Sequence, residues 1–378
     1  MKTLLISSDY PPMVSGIANA CYNFWKYLPS EKVVVLAPKV EGYEKYDKEA
    51  ELKTYRYSPA FTGTSIISRV CRFMMLLKKI LKIVNKEDIK LLHAGQPVLV
   101  GFVARLFAGL FDIPYVIYVY GGEVKKFEGS IFFKLFVKNM KESRAVIVNS
   151  NYTASEIRHL IPEKEIKTVY PGVDTKKFVP QINTEELEEK YNVKKKTVLL
   201  TVARLVKRKG QHLVLEAIDR LKKEYPDLVY LIVGEGPRRE TLEELAEAYG
   251  LKDRVIFAGE VDEEELPVLY NVCDIFIMLS TLTDNEEVVE GFGISFMEAN
   301  SCGKPVIGGK TGGVVEAVKD GETGFLVVPE DINQVVAKTR RFLENKSLRK
   351  KFGKKGRQRA QKEFDWRKLS RQFLDYIV

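Results

Sequence analysis

Short apolar runs that alternate with helical patterns are the feature that most limits how this chain can fold. The first half contains the runs KTLLIS, KVVVLA, LLHAG, YVIYVY and AVIVNS, and the second half contains TVLLTVA, VYLIVGEG, RVIFAG, CDIFIMLS and KPVIGG. Continuous apolar strands separated by helices are typical of parallel sheets that are covered by helices on both faces. The sequence therefore predicts an α/β fold built on parallel sheets.

The two series of strands predict two Rossmann-like domains, and 378 residues are enough for two hydrophobic cores. Between the series lie PGVDTKKFVP and the charged helix TEELEEKYNVKKK, which predict a linker region over residues 171–196. The final FDWRKLSRQFLDYIV predicts a helix whose apolar stripe needs a surface to pack on. We place the first domain at residues 1–172 together with the C-terminal helix 365–378, and the second at residues 173–364.

Composition excludes several classes of protein. Apolar residues make up 45% of the chain and charged residues 29%, as in a soluble globular protein. The four cysteines are scattered without a C-x-x-C pair, which argues against a disulfide framework or a zinc site and favours a reducing cytosol. No apolar run approaches the roughly 18 residues that a membrane span needs. The start, MKTLLISSDYPP, is typical of a first buried strand rather than a signal peptide. We therefore expect a cytoplasmic protein.

The net charge of +9 favours an anionic partner, which could be nucleic acid, an anionic membrane surface or a phosphorylated ligand. Two stretches, 66–86 and 131–141, combine lysines and arginines with a helical apolar face. Such helices can lie on anionic lipid, and they can equally be domain-surface helices whose apolar side faces the core. We expect peripheral association with the inner face of a membrane, with a solvated basic surface as the alternative.

Distinctive residues follow several of the predicted strands. Gly16 follows the first strand, Tyr120 follows YVIYV, Arg204 and Lys209 follow TVLLTVA, and Gly234 follows VYLIV. In open parallel sheets, ligands bind at the carboxyl ends of the strands. These positions predict a ligand site at one edge of both sheets, in a cleft between the two domains.

The stretch EGFGISFMEA, from Glu290 onward, combines two glutamates with a glycine turn. Gly293 allows the backbone to approach a ligand closely, and a helix that starts at Ile294 would present free N–H groups to a phosphate. Glu290 could accept hydrogen bonds from hydroxyls, and Glu298, one turn into the helix, from a diol such as a ribose. The alternative is a glycine-rich turn with two solvated glutamates.

The stretch ARLVKRKG offers a second ligand-binding pattern. Arg204 could bind two oxygens of a diphosphate and Lys209 could supply a point charge, whereas we expect Lys207 and Arg208 to be solvated or partnered elsewhere. LIVGEGP lacks the full G-x-G-x-x-G fingerprint, so Gly234 indicates only a tight turn near a nucleotide. A basic surface loop remains the alternative for ARLVKRKG.

Taken in order, these segments resemble the retaining glycosyltransferases of family 4, which have the GT-B fold, two Rossmann-like domains facing each other across a deep cleft. The resemblance covers nearly the whole chain. Its most specific parts are EGFGISFMEANSCGKPVIGGKTGGVVEAV, ARLVKRKG, PGVD at 171–174, DGETGFLV at 320–327 and the late FDW.

The resemblance implies a function for each domain and for each candidate residue. The N-terminal domain would bind the acceptor and the C-terminal domain the nucleotide sugar. Glu290 would hold the hydroxyls of the transferred sugar, Glu298 the ribose, and Arg204 and Lys209 the diphosphate. The backbone at Phe292, Gly293, Ile294 and Ser295 and the glycine loop at Gly16 would lie near the phosphates. Gly234 would lie beside the nucleotide.

The activity that the resemblance implies is transfer of a hexose-type sugar, with retention, from a UDP- or GDP-linked donor to a hydroxyl acceptor. The chain has no Asp-x-Asp. We therefore expect no metal, and no cofactor beyond the donor substrate. Nucleic acid is not an expected partner.

This chain departs from the pattern of the family at two points. Members often have His-Gly where this chain has Tyr120-Gly121, so Tyr120 is expected to hydrogen-bond the donor, but the role of the histidine does not carry over. Members also often have Gly-Gly where this chain has Ser15-Gly16. The long segment LSTLTDNEEVVEGFG resembles members that act on lipid-linked acceptors.

Two other functions remain open at this stage. A nucleotide-sugar 2-epimerase of the same fold would need acid and base groups near C2 and C3 of the sugar, and the first half of the chain is poor in histidine. A non-catalytic basic module that binds membrane or nucleic acid would explain the charge of +9 but would leave Glu290 and Glu298 without a purpose.

Overall fold

The computed structural model describes residues 1–13, 16–58, 66–282 and 290–377. The chain forms two compact units, one made of Met1–Pro171 with Trp366–Val378 and one made of Gly172–Asp365. The boundaries expected from the sequence differ from these by one residue at each junction. Both units are α/β with parallel sheets, as predicted.

The first unit contains a seven-stranded parallel sheet in the order β3-β2-β1-β4-β5-β6-β7. Its strands are β1 (Thr3–Ile6), β2 (Val33–Pro38), β3 (Thr54–Tyr57), β4 (Leu91–Ala94), β5 (Tyr115–Val119), β6 (Ala145–Val148) and β7 (Ile166–Thr168). Its helices are α1 (Gly16–Trp25), α2 (Tyr43–Glu49), α3 (Ile66–Glu87), α4 (Leu99–Phe111), α5 (Glu123–Phe127), α6 (Ile131–Glu142), α7 (Asn151–Arg158) and the C-terminal α16 (Trp366–Ile377).

The second unit contains a six-stranded parallel sheet in the order β10-β9-β8-β11-β12-β13. Its strands are β8 (Thr197–Val202), β9 (Leu228–Val233), β10 (Val255–Gly259), β11 (Ile275–Met278), β12 (Val306–Gly309) and β13 (Gly324–Val327). Its helices are α8 (Glu185–Lys190), α9 (Gln211–Leu221), α10 (Arg239–Ala248), α11 (Leu266–Val272), α12 (Ile294–Ser301), α13 (Val314–Ala317), α14 (Ile332–Glu344) and α15 (Lys346–Glu363).

Helices cover both faces of the first sheet. Successive side chains of a strand point to opposite faces, so each strand contributes to both cores. In β1, Leu4 and Ile6 face a core that α3, α4 and α6 complete. Leu5 faces the opposite core, which contains Trp25 of α1 and Phe373 of α16. The apolar stripe expected in the C-terminal helix thus packs on the first unit.

The expected linker over residues 171–196 is wrong for most of its length, because this segment belongs to the second unit from Gly172 onward. The Val173 N–H donates to the Phe364 carbonyl at 2.8 Å. The guanidinium of Arg357 donates to the Thr175 carbonyl at 2.9 Å. The charged residues that suggest a linker, such as Glu185, Glu186 and Lys194, are exposed. The start of the segment is bonded to α15 and to Phe364, the residue that follows it.

Within the described ranges, no helix combines the length and apolar character that crossing a membrane would require.

Candidate active site

The order of the second sheet places the predicted site residues on neighbouring loops. The direction of strand succession reverses between β8 and β11, and ligands of open α/β sheets bind at such a switch point, at the carboxyl ends of the strands. Arg204 and Lys209 follow β8, Gly234 follows β9, and Glu290 and Glu298 follow β11. The structure therefore brings these five residues to one edge of one unit.

Glu290 lies in an ion-paired cluster. The Lys209 ammonium and the Arg208 guanidinium both donate to Glu290 Oε2, the latter at 3.2 Å. Burial acts to raise the pKa of the Glu290 carboxyl, but the positive charges of Lys209 and Arg208 outweigh this effect and leave the pKa below its ordinary value. Glu290 is thus an ionised carboxylate that holds two cations, and the interpretation as a solvated glutamate is wrong.

Arg208 is a site residue that the sequence analysis missed. We expected it to be solvated or partnered elsewhere, whereas it contacts Glu290 directly. Lys207 is exposed, in line with the expectation for it. The three basic residues occupy one short 3-10 turn, Lys207–Lys209, in which successive side chains point in different directions. The letters KRK alone do not reveal which of them faces the ligand edge.

The loop after β8 is joined tightly to the end of β11. The Thr281 N–H donates to the Arg208 carbonyl at 2.9 Å. Gly210, which ends the 3-10 turn, has a φ of 71°, and a Cβ there would lie 1.9 Å from the Leu279 carbonyl oxygen. Only glycine fits this position, because both the backbone conformation and the close approach exclude a side chain. The position of Lys209 is fixed by this contact.

Arg204 and Gly234 lie on adjacent loops. Arg204 is exposed and, among the described residues, forms no ion pair, so its guanidinium is free to meet a ligand. Gly234 has a φ of 122°, and a Cβ there would lie 2.3 Å from the Ala203 carbonyl oxygen. The turn predicted at Gly234 is therefore required by the approach of two loops, and its proximity to a nucleotide stays a prediction.

The turn before α12 also depends on glycine. Gly293 precedes Ile294 with a φ of 94°, and a Cβ there would lie 2.6 Å from the ring of Phe296. Phe292 is buried, and its ring packs 5.6 Å from that of Phe364, so only its backbone is available to a ligand. Ile294 and Ser295 form the first turn of α12, where backbone N–H groups lack helical partners.

Glu298 is buried one turn into α12, with 8% of its surface exposed. The Tyr270 hydroxyl donates to Glu298 Oε2 at 2.6 Å. Burial raises the pKa of Glu298 to about 7, while the hydrogen bond from Tyr270 acts to lower it. Glu298 is therefore not a solvated glutamate. Tyr270 lies on α11, and no motif in the sequence marks it as a site residue.

The raised pKa of Glu298 predicts a pH-dependent stability. A carboxyl whose pKa rises from 4.5 to about 7 on folding stabilises the protein below pH 4.5, and this contribution is lost as the pH rises to 7. From pH 4.5 to 7, the free energy of unfolding of the wild type should fall relative to that of Glu298→Gln by up to about 3 kcal/mol. Urea unfolding at several pH values measures the difference, with the exposed Glu330→Gln as control. Parallel curves for the wild type and Glu298→Gln would contradict the assignment.

Tyr120 lies in the first unit, directly after β5. The N–H groups of Tyr120 and Gly121 donate to the Glu123 carboxylate, at 3.0 and 2.8 Å. The Asn149 amide donates to the Tyr120 carbonyl at 3.0 Å. Burial raises the pKa of the Tyr120 phenol well above its ordinary value, so the hydroxyl stays protonated. The contact of Tyr120 with a donor stays a prediction.

Gly16 is the first residue of α1, not part of a loop. It is exposed, and a Cβ there would meet no atom within 4 Å. Nothing in the described protein thus requires a glycine at this position. Ser15, which precedes it, lies outside the described residues.

Comparison with known proteins identifies the family. The family model described as Glycosyltransferase Family 4 matches residues 14–177, and the model described as Glycosyl transferases group 1 matches residues 183–359. Together the two models account for most of both units.

Relatives match along almost the full length. A GDP-mannose-dependent alpha-(1-6)-phosphatidylinositol monomannoside mannosyltransferase of Mycolicibacterium smegmatis is 29% identical over 96% of this chain and 95% of the relative. The Mycobacterium tuberculosis protein of the same name is 26% identical over 100% of this chain and 98% of its own.

Solved structures share the fold. Anabaena HepE in complex with UDP and glucose superposes with a TM-score of 0.84 at 19% identity, over 100% of this chain and 99% of that one. Sucrose-phosphate synthase of Thermosynechococcus elongatus gives a TM-score of 0.81 at 22% identity, with 99% and 98% covered. The resemblance inferred from the sequence is confirmed, and the chain belongs to the group 1 glycosyltransferases, which use nucleotide sugars and have the GT-B fold.

Proposed function

We propose that this glycosyltransferase moves a hexose from a nucleoside-diphosphate sugar to a lipid-linked hydroxyl acceptor, with retention of configuration and without a metal. The observation that carries the proposal is the cluster at the switch point of the second sheet. There Lys209 lies against Glu290, and α12 begins four residues after Glu290, at Ile294. This arrangement provides positive charge for a diphosphate next to a carboxylate for sugar hydroxyls.

The chemistry of transfer requires charge stabilisation on the leaving group. Breaking the bond between sugar and phosphate develops positive charge on the sugar and negative charge on the departing diphosphate. Arg204, Lys209 and the N-terminus of α12 would stabilise that negative charge as it forms. Because these groups belong to the chain, we propose that neither a metal nor a cofactor is needed for this step.

Retention follows if the acceptor attacks the face from which the diphosphate leaves. The acceptor hydroxyl forms the new bond to the anomeric carbon, the bond to the phosphate oxygen breaks, and that oxygen takes the hydroxyl proton. No covalent intermediate on the protein is needed. Glu290 would hold the transferred sugar in this arrangement, and Glu298, oriented by Tyr270, would hold the ribose.

The names of the relatives guide the choice of substrates. GDP-mannose is the first donor to test, and a phosphatidylinositol mannoside is the first acceptor, because the two mycobacterial relatives carry these names. A UDP-linked hexose is the second donor, because the HepE structure contains UDP and glucose.

The test is a donor panel with a defined acceptor. The protein is incubated with GDP-mannose, UDP-glucose or ADP-glucose, with and without phosphatidylinositol mannoside in mixed vesicles. Release of the nucleoside diphosphate and the mass of the lipid are measured. We expect acceptor-dependent release and one added hexose with at least one donor. Release without acceptor, together with an epimerised sugar, would support the 2-epimerase instead.

Exposed apolar residues on the first unit support a role for this unit in binding to a membrane surface. Helices α3, α4 and α6 pack on the same face of the sheet. Their outward side chains include Ile131, 85% exposed, and Leu110, 66% exposed, with Phe132 at 50% and Phe111 at 45%. Large apolar side chains beside lysines are typical of surfaces that bind anionic lipid. We therefore propose that this helix face contacts the membrane.

Charge reversal on the helix face should release the protein from anionic vesicles. Each lysine near an anionic surface contributes about 1 kcal/mol, so reversing three should weaken binding by about 100-fold or more. The variant changes the exposed Lys78 and Lys82 of α3 and Lys134 of α6 to Glu. Lys79 is kept because its ammonium donates to the Arg56 carbonyl, and burial lowers its pKa. Co-sedimentation at low and high salt measures binding.

A matched control reverses three exposed lysines of the second unit, Lys350, Lys351 and Lys354 on α15. This variant has the same net charge as the first. If both variants lose vesicle binding equally, binding depends on the net charge of the protein and not on the helix face. If the wild type does not sediment at low salt, the membrane proposal is wrong.

A further inference from the structure

We infer that the Glu290 carboxylate competes with the donor diphosphate for Lys209 and Arg208, so that a nucleoside diphosphate binds less tightly than these cations alone would allow. The inference rests on the proposed function, because it assumes that the diphosphate binds at this cluster. It adds a second task for Glu290, which is to favour release of the product after the sugar has left.

Two cations meet on one oxygen of Glu290. Both Lys209 and Arg208 donate to Oε2, and no described residue donates to Oε1. The three side chains are mostly enclosed, with 13% of Lys209, 21% of Arg208 and 12% of Glu290 exposed. The other polar contact of the Lys209 ammonium in the described part of the chain is the Met278 sulfur, at 3.8 Å. Lys209 is therefore engaged by Glu290 before any ligand arrives.

A diphosphate that binds Lys209 must share it with a carboxylate a few ångströms away. Repulsion between like charges is strong where water is mostly excluded, so the carboxylate opposes the phosphate. Among the described residues, Arg204 is a cation of this edge that is not paired with Glu290. The Glu290 carboxylate therefore repels a free diphosphate that binds at this cluster.

The sugar of the intact donor can offset the repulsion between Glu290 and the diphosphate, whereas the diphosphate product has no sugar to do so. Hydroxyls of the bound sugar can donate to Glu290, including to Oε1, and hydrogen bonds to an ionised carboxylate are among the stronger ones. These bonds satisfy the carboxylate when the diphosphate takes over Lys209. Once the sugar has been transferred, the hydroxyls are gone and the repulsion returns. Glu290 therefore favours the complete nucleotide sugar over the diphosphate.

A different role for Glu290 predicts the opposite sign. If the carboxylate only holds Lys209 and Arg208 in position for the phosphate, its removal disorders both cations, and the diphosphate binds more weakly. The affinity of the bare diphosphate for a Glu290 variant therefore decides between competition and positioning.

The experiment is calorimetric titration of GDP and, separately, UDP into the wild type, Glu290→Gln and Glu224→Gln. Glu224 is the matched control, since it pairs with Arg340 at 2.9 Å on the exposed surface and lies before β9, away from the carboxyl ends of the strands. We expect Glu290→Gln to bind the preferred diphosphate about tenfold more tightly than the wild type. Glu224→Gln should stay within about twofold of the wild type, as is usual for an exposed ion pair.

The outcomes separate the inference from the proposed function. Equal or weaker binding of the diphosphate by Glu290→Gln, with binding intact in the wild type, overturns the inference and leaves the proposed function standing. Absence of binding of both diphosphates to the wild type and to the variant overturns both. Thermal unfolding confirms that each variant is folded, and Glu290→Ala, for which the same tightening is expected, repeats the test with a different side chain.

Discussion

Replacing Lys209 with alanine should lower kcat by a factor of about 10²–10³, with a smaller effect on donor affinity. The negative charge on the diphosphate grows as its bond to the sugar breaks, so a cation at this point stabilises the transition state more than the bound donor. The backbone of Lys209 is held by the glycine that ends its turn. The ammonium therefore stays at the edge where the negative charge develops.

The neighbouring Lys207 is the matched control. It lies in the same 3-10 turn, it is exposed, and Lys207→Ala removes the same charge. Steady-state kinetics with varied donor should give a wild-type kcat for Lys207→Ala and a strongly reduced kcat for Lys209→Ala. Full activity of Lys209→Ala would show that the diphosphate is bound elsewhere.

Gly313→Ala should disrupt the loop that carries Glu290. The Gly313 N–H donates to the Glu290 carbonyl at 2.9 Å, and an added Cβ would lie 2.0 Å from the Gly291 carbonyl oxygen. The φ of Gly313 is −76°, which alanine adopts without strain, so the effect is purely steric. We expect a loss of about 1–3 kcal/mol in the free energy of unfolding. Transfer should fall by about 10-fold to 100-fold, because the site residues shift by a fraction of an ångström or more.

Gly109→Ala controls for the general effect of replacing a helix-region glycine. Gly109 lies within α4, and a Cβ there would meet no atom within 4 Å. Alanine should therefore leave activity unchanged and should add about 0.5–1 kcal/mol to stability. Urea unfolding and donor turnover of both variants measure the contrast. Wild-type activity of Gly313→Ala would mean that the Glu290 loop tolerates displacement.

The central strands were predictable because they are buried on both faces and read as continuous apolar runs. Three strands at the edges of the sheets, β3, β7 and β13, were not predicted. Two of them, β3 and β7, differ from the central strands in composition. Their sequences, TYRY and IKT, are partly exposed and carry polar or charged residues. A strand at the edge of a sheet has fewer neighbours to bury its side chains, so its composition approaches that of a loop.

Placing Arg204, Lys209, Glu290 and Glu298 at one sheet edge was predictable, because the carboxyl ends of parallel strands lie at the same edge. The pairs within the site were not. Lys209 and Glu290 are 81 residues apart, and Tyr270 and Glu298 are 28 residues apart. No helical or strand period connects such positions, so only the folded chain reveals which carboxylate meets which partner.

Transfer with retention is tested most directly by proton NMR of the first-formed product. The reaction contains the preferred donor, the lipid acceptor and excess EDTA, and the anomeric signal of the new linkage is compared with that of the donor. We predict the same anomeric configuration in donor and product, with turnover undiminished by the chelator. A product of opposite configuration, or turnover that requires added Mg²⁺ or Mn²⁺, would contradict the proposed chemistry.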